Sequence, residues 1–402
     1  MGAASVLIAQ LHAAIREFRR MERVLDAEAI DADLRARVHA RFDVEFRRQR
    51  AALEGVQDEI TRGQPPDEGW AVFDNIRRDT AVVYQEFLAF TSGALQRSAG
   101  LDDGLGGIAD SLLDTVAAQI GVRWNGFTVT APDVESYVDL AELIRLRFAD
   151  VTIWNLPVAV HEFGHFVGPE LFERGADNAR HYRFKDYLDQ EAQLDPKNGG
   201  FVHEQFADLF ATYAIGPAYP CVCILLRFTP ATAHVDGDSH PSAAKRVYLM
   251  LKWLERLEAG RLIRHYRDVT EVLRSIWHAS LGAVGQDAEL PAEDRAILDT
   301  RLLDLGGILE TLLPSGVRYA SWTRAEQLAT AVSEWAQREY ADDLPATVPS
   351  DTPGDVLNAA WLVRLAAADN DLERVGRVGG WAHQACRKLA MARARAARST
   401  SG

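Results

Sequence analysis

His161 and His165, four positions apart with the carboxylate of Glu162 beside the first, are the residues of this chain best suited to chemistry. On a helix, residues four apart project from one face about a turn apart, close enough to hold a single Zn²⁺. Glu162 points about 100° round the axis, toward the space that a water activated by such an ion would take. Zinc lowers the pKa of water toward about 7, and a neighbouring carboxylate then removes its proton. The flanks favour a helix. Leu156-Pro157-Val158-Ala159-Val160 is an apolar start with proline near the first turn, and Gly164 would let another backbone pass close. The plain alternative is a pair of partly buried histidines on an ordinary core helix.

A catalytic zinc needs a third protein ligand. In one pattern the motif continues to a glycine and a further histidine; Gly168 fits, but the last position is Leu171, which cannot ligate. The other solution takes a glutamate from a second helix. Phe206, Leu209, Phe210 and Tyr213 form a helical apolar stripe, and Glu204 and Asp208 share a different face of it. Ala207 and Ala211 would let that helix approach the first one closely. Glu204 is then the expected third ligand, with His181 and His203 as competitors. Asp208 would accept the free ring N–H of a ligand histidine and fix its tautomer. Either acid could instead be a solvated charge, although the sequence from Phe206 to Phe228 is nearly all apolar.

A third element follows in Asp238-Ser239-His240-Pro241 and Arg246. Ser239 or Asp238 reads as a helix cap with Pro241 in the first turn. His240 would stand at a helix mouth and donate to an oxyanion, with Arg246 supporting it. The bland reading is a polar helix start and a surface arginine.

Taken in order, His161–His165, Glu204 with Asp208, and His240-Pro241 with Arg246 resemble the gluzincin metallopeptidases that include the CAAX prenyl proteases and the bacterial heat-shock membrane protease. The resemblance covers roughly residues 155–255. It implies a zincin-like core, one Zn²⁺ per chain held by His161, His165 and Glu204, Glu162 as general base, and His240 and Arg246 at the active site. The Glu204–Ala211 stretch, ending near Pro217, is also similar to metalloproteases that cleave phage repressors. Those prenyl and heat-shock enzymes are integral membrane proteins, and here the resemblance departs from them. No apolar run in this chain reaches the roughly 18 residues a span needs.

Tyr213 to Phe228 comes nearest and is broken by Gly216, Pro217 and Pro220. The first residues lack the pattern of a signal peptide, so a soluble, cytoplasmic protein is expected. Three cysteines argue against a disulfide framework, and Cys221 and Cys223 read as small buried hydrophobes. A net charge of −14 disfavours nucleic acid as a partner. The basic stretch from Arg387 to Arg398 reads as a solvated helix end.

Residues 1–98 carry three apolar seams of alternating three- and four-residue spacing: Leu7 to Leu25, Phe42 to Ile60, and Phe73 to Phe90. Asp31 can cap the second. An antiparallel helical bundle is expected, either a packing module or a sensor or docking module that gates a protease and could meet a protein partner. Gly100 to Gly107 lacks the Lys-Ser/Thr of a phosphate loop. Phe127 to Thr130 is the clearest strand, suited to pair with an extended substrate beside the zinc helix. Residues 132–148 read either as a helix opened by Pro132 or as a strand around Ile144. Asp195 to Gly200 reads as a turn inside an insertion, residues 166–203, suited to a lid. The expected organisation is a helical module at 1–98, a metallopeptidase core at 108–260, a helical extension at 261–340, a linker at 341–354 and a C-terminal helical segment at 355–402.

The expected fold is mainly α, a gluzincin core with at most a small β element, flanked by helical modules. The expected function is zinc-dependent hydrolysis of a protein or peptide substrate. A non-enzymatic helical scaffold with a structural zinc, and a zinc hydrolase of non-peptide amides, are the rivals.

Overall fold

In the computed structural model the apolar seams of the first hundred residues become three long helices, α1 (Ala3–Leu25), α2 (Ala32–Thr61) and α3 (Pro66–Ser98). The structure describes residues 3–25, 32–131, 136–138, 143–147, 152–174, 178–259, 266–338, 344–348, 351–367 and 371–400. Asp31, the expected cap of α2, lies outside them. Leu7, Leu11, Phe18 and Met21 of α1 meet Phe42, Phe46, Leu53, Val56 and Ile60 of α2 and Phe73, Val83, Phe87 and Phe90 of α3 in one core. Phe46 stands edge-on to Phe87 with centroids 5.3 Å apart, which adds an aromatic preference to simple burial.

Asp102 then caps α4 (Leu105–Ile120), its carboxylate accepting from the backbone N–H of Gly104 and of Gly106. The glycine- and aspartate-rich loop is thus a helix start. After α4 come β1 (Phe127–Ala131), β2 (Ser136–Val138) and β3 (Leu143–Arg147). They form a sheet in the order β1-β3-β2, with Phe127 opposite Leu143 in a parallel pair and Ser136 opposite Arg145 in an antiparallel one. The alternation around Ile144 is therefore a strand; residues 132–135, 139–142 and 148–151 lie outside the described set. β1 packs on α3, where a Cβ at Gly93 would sit 2.4 Å from the Thr130 carbonyl oxygen. Only glycine allows that approach.

The chain divides into two compact units, Met1–Gly106 with Asn125–Ala149, and Gly107–Trp124 with Asp150–Gly402. The sheet thus belongs with the helical bundle. α4 leads into the second unit, and the chain returns to the first for the strands.

The second unit continues with α5 (Val158–Glu170), a two-residue hairpin of β4 (Glu173–Arg174) and β5 (Arg180–His181), α6 (Arg183–Leu194), α7 (Pro196–Ile215) and α8 (Ala218–Val222). Then come α9 (Ala243–Ala259), α10 (Arg267–Ala283), α11 (Ala292–Leu312), α12 (Trp322–Ala336), α13 (Pro353–Leu365) and α14 (Leu372–Thr400). α7 is the centre, packed by α5, α6, α8, α9 and α11.

Two local expectations change here. Asp195 to Gly200 is the first turn of α7 and no free turn: Asp195 accepts from the Lys197 N–H at 2.9 Å and Pro196 occupies the first helical position. α6 is anchored at one point, Phe184, which is fully buried against Phe206 at 4.1 Å, while the rest of that helix is exposed or half-buried. At the end of the expected linker, Thr352 forms a capping box with Asp355 that starts α13. Among the described residues no single helix is long and apolar enough to cross a membrane, and the most apolar pair, α7 with residues 218–227, is bent by 120°. The fold is mainly α with a small mixed sheet.

Candidate metal centre

α5 and α7 cross where both chains are smallest. A Cβ at Gly164 would lie 3.0 Å from the Ala207 Cα and 3.1 Å from a ring carbon of Phe210. The glycine therefore sets the separation of the two helices that carry the chemical groups. Gly168 faces Phe184 and Phe206 in the same way, at 2.7 and 3.0 Å. Replacing Gly164 with valine forces this crossing apart, and overpacking of that kind costs about 2 kcal/mol. Urea unfolding of Gly164→Val should show that loss, and unchanged stability would mean the crossing is not under steric control.

The crossing brings His161, His165 and Glu204 together. One ligand atom from each lies within 4.8 Å of the others. Glu204 reaches the two rings with different oxygens: Oε2 is 3.4 Å from His161 Nε2 and Oε1 is 3.5 Å from His165 Nε2. Donors about 2.0–2.1 Å from a tetrahedral zinc are separated by about 3.4 Å, so these spacings suit such an ion. Glu204 Oε2 is buried and has no hydrogen-bond partner. A buried carboxylate whose two oxygens each face an imidazole nitrogen is a donor set that a dication satisfies. Glu162 is buried beside them on α5, 7 % exposed.

The competitors for the third position point elsewhere. His203 Nε2 donates to the His165 carbonyl oxygen at 3.3 Å. His181 is exposed on the β4–β5 hairpin. Among the described residues the mutually close group has three members, the number a catalytic zinc takes when one position stays open.

Behind His161 lies a buried polar network. Asp208, 0 % exposed, stands one turn after Glu204, with Oδ1 3.1 Å from His161 Nδ1. Arg246 reaches from α9 and grips both Asp208 oxygens, Nε to Oδ2 at 2.8 Å and a terminal nitrogen to Oδ1 at 2.7 Å. Its guanidinium also sits 5.2 Å from the Phe228 ring centroid and 3.6 Å from Glu204 Oε2. Arg246 thus joins the site by holding Asp208. Sequence reasoning missed Tyr219, whose hydroxyl lies 2.9 Å from His161 Nδ1 and donates to Asp208 Oδ1 at 2.6 Å. A tyrosine inside an apolar segment was the available signal, because a buried phenol needs a partner.

His240 comes from the open side, its side chain 56 % exposed and Nε2 3.2 Å from Glu204 Oε1. Its loop precedes the helix, since α9 starts at Ala243. Asp236 pins the loop by accepting from the Ser242 N–H at 2.8 Å and from Lys245 Nζ at 2.9 Å. Gly200 lets that loop lie against α7, because a Cβ there would be 3.3 Å from the Ser239 carbonyl oxygen. Glu204 is one turn further along the same face, so His240 arrives beside it.

Charges in this cluster are mutually dependent. Burial pushes the His161 imidazolium down, but the carboxylates of Asp208 and Glu204 outweigh it and raise the group to about 9. Burial, and then the His161 charge, drive His165 well below the usual range. Burial alone would raise Glu204 and Asp208. The facing His161 ring and Arg246 hold Glu204 low, and Arg246 holds Asp208 at about 2. Cys223 nearby stays a thiol, pushed up to about 12 by burial.

Comparison of the chain with protein-family models, with curated proteins and with solved structures finds no match.

Proposed function

We propose that this chain is a zinc-dependent peptidase of gluzincin type, with two ligands from α5 and the third from α7. The observation that carries the reading is the convergence of His161, His165 and Glu204 within 4.8 Å, the two histidines on the helix that also buries Glu162. Zinc, when bound there, supplies a Lewis acid that lowers the pKa of water and polarises a carbonyl. Glu162 takes the proton of the attacking water and returns it to the leaving amine nitrogen. His240, on the exposed side of Glu204, donates to the oxyanion of the tetrahedral adduct. Asp208, held by Arg246, keeps His161 turned so that Nε2 faces Glu204.

Zinc content of the purified protein beside Glu204→Ala tests the ligand set, and cleavage of a peptide library tests the activity. Wild type should hold about one zinc per chain, lose it in the variant, and cleave peptides in a way that chelation stops and zinc restores. A wild type that takes up no zinc, or a variant that holds it equally well, would overturn the reading. Chelation that unfolds a protein inactive on peptides would favour a structural zinc. Turnover of small amides with peptides left intact would favour the other hydrolase class.

A further inference from the structure

We infer that Tyr219 is a positioning residue of this centre: its hydroxyl bridges His161 Nδ1 to Asp208 and thereby decides which nitrogen of His161 faces the metal. The inference rests on reading His161, His165 and Glu204 as the metal ligands.

Tyr219 lies on α8 and is 2 % exposed. Around its hydroxyl stand Asp208 Oδ1 at 2.6 Å, His161 Nδ1 at 2.9 Å and a terminal nitrogen of Arg246 at 3.4 Å, with the Cys223 thiol also in reach. A hydroxyl has one proton to give. The ionised carboxylate at the shortest distance takes it, because charge-assisted hydrogen bonds are about twice as strong as neutral ones. With that proton committed, the phenol oxygen faces His161 as an acceptor. The Nδ1 position of His161 then meets acceptors only, the phenol oxygen and Asp208 Oδ1 at 3.1 Å. Nδ1 must carry the ring hydrogen, and the lone pair falls on Nε2, which faces Glu204 Oε2.

The packing makes this arrangement rigid. The His161 and Tyr219 rings lie within 11° of parallel, with centroids 5.5 Å apart, so the phenol also limits rotation of the imidazole. Asp208 cannot turn away, because Arg246 grips both of its oxygens. Tyr219 reaches back to α7 through a reversal at Gly216, whose φ is +69°. A side chain there would be strained and would strike the Tyr319 ring at 2.5 Å. A π-helical turn, Cys223–Arg227, follows α8, a rare form often found near functional sites. Phenylalanine at 219 would keep the ring and its packing and remove only the bridge. A residue that merely fills space would tolerate that change.

The test measures zinc affinity of wild type and Tyr219→Phe by competition with a chromophoric chelator, and the visible spectrum of the Co²⁺-substituted proteins. Loss of an orienting partner typically weakens metal binding about 10–100-fold, and that weakening is expected here with a shifted Co²⁺ band and unchanged helical circular dichroism. Affinity within twofold of wild type with an identical Co²⁺ spectrum would overturn the inference. A second measurement does not depend on the variant folding: ¹⁵N shifts of histidine in zinc-loaded wild type should show His161 protonated at Nδ1 and ligated through Nε2. Ligation through Nδ1 would overturn it as well. A wild type that binds neither zinc nor cobalt would instead bring down the metal centre itself, a failure these readouts separate from that of Tyr219.

Discussion

Glu162→Gln should reduce peptide hydrolysis by about 10³-fold while zinc stays bound at the wild-type level. Proton transfer by a positioned side chain contributes roughly 10²–10⁴-fold, and glutamine has nearly the same shape but cannot accept the proton. The site is buried at this position, so the amide replaces the carboxylate without opening a cavity. The loss should fall on kcat with KM little changed, because the interaction is made in the transition state. It should also differ in kind from Glu204→Ala, which removes a ligand. Steady-state kinetics on the metal-loaded variant, with zinc measured on the same sample, decide it. An active, metal-replete Glu162→Gln protein would exclude Glu162 as the base.

The second large effect is on stability. Arg246→Ala removes both guanidinium bonds to Asp208 and leaves that carboxylate buried beside Glu204. Breaking a buried pair by deleting one partner costs about 3–5 kcal/mol, mostly because the remaining charge is uncompensated. Lysine should rescue poorly, since one ammonium cannot match two carboxylate oxygens together with the contact to the Phe228 ring. Combining Arg246→Met with Asp208→Asn removes both charges and should recover much of the loss. The sign with pH follows from Asp208, whose folded value is depressed to about 2 mainly by Arg246, against burial. Its contribution is present above the ordinary carboxylate range and is lost as pH falls toward 2. The deficit of Arg246→Ala should therefore be largest near neutral pH and shrink on acidification. Urea unfolding at several pH values measures it, and a deficit that does not change with pH would exclude the charge argument.

Much of the helical framework is legible in the sequence because helix geometry is local. The seam residues Leu7, Leu11 and Phe18, then Phe42, Phe46 and Leu53, then Phe73, Val83 and Phe87, are those buried together in the first unit. At the site, His161 and His165 share a face because they are four apart, and so do Glu204 and Asp208. Gly164 and Ala207 can be recognised as a close crossing because neither has bulk to prevent it. Asp195-Pro196 is ambiguous, since the same dipeptide opens both helices and loops. The turn reading fails because Gly199 and Gly200 are held in a helix by packing against Ala192 and Ser239.

The types and spacing of residues by themselves determined which side chains can ligate a metal and which helix faces carry them, because 3.6 residues per turn fixes both. Tertiary structure alone decided their partners. Arg246 serves Asp208, Tyr219 bridges Asp208 and His161, and the strands join the helical bundle. Each of those pairings depends on a chain reversal or a desolvated contact between distant segments. Its energy comes from burying both groups together, and no local periodicity records that.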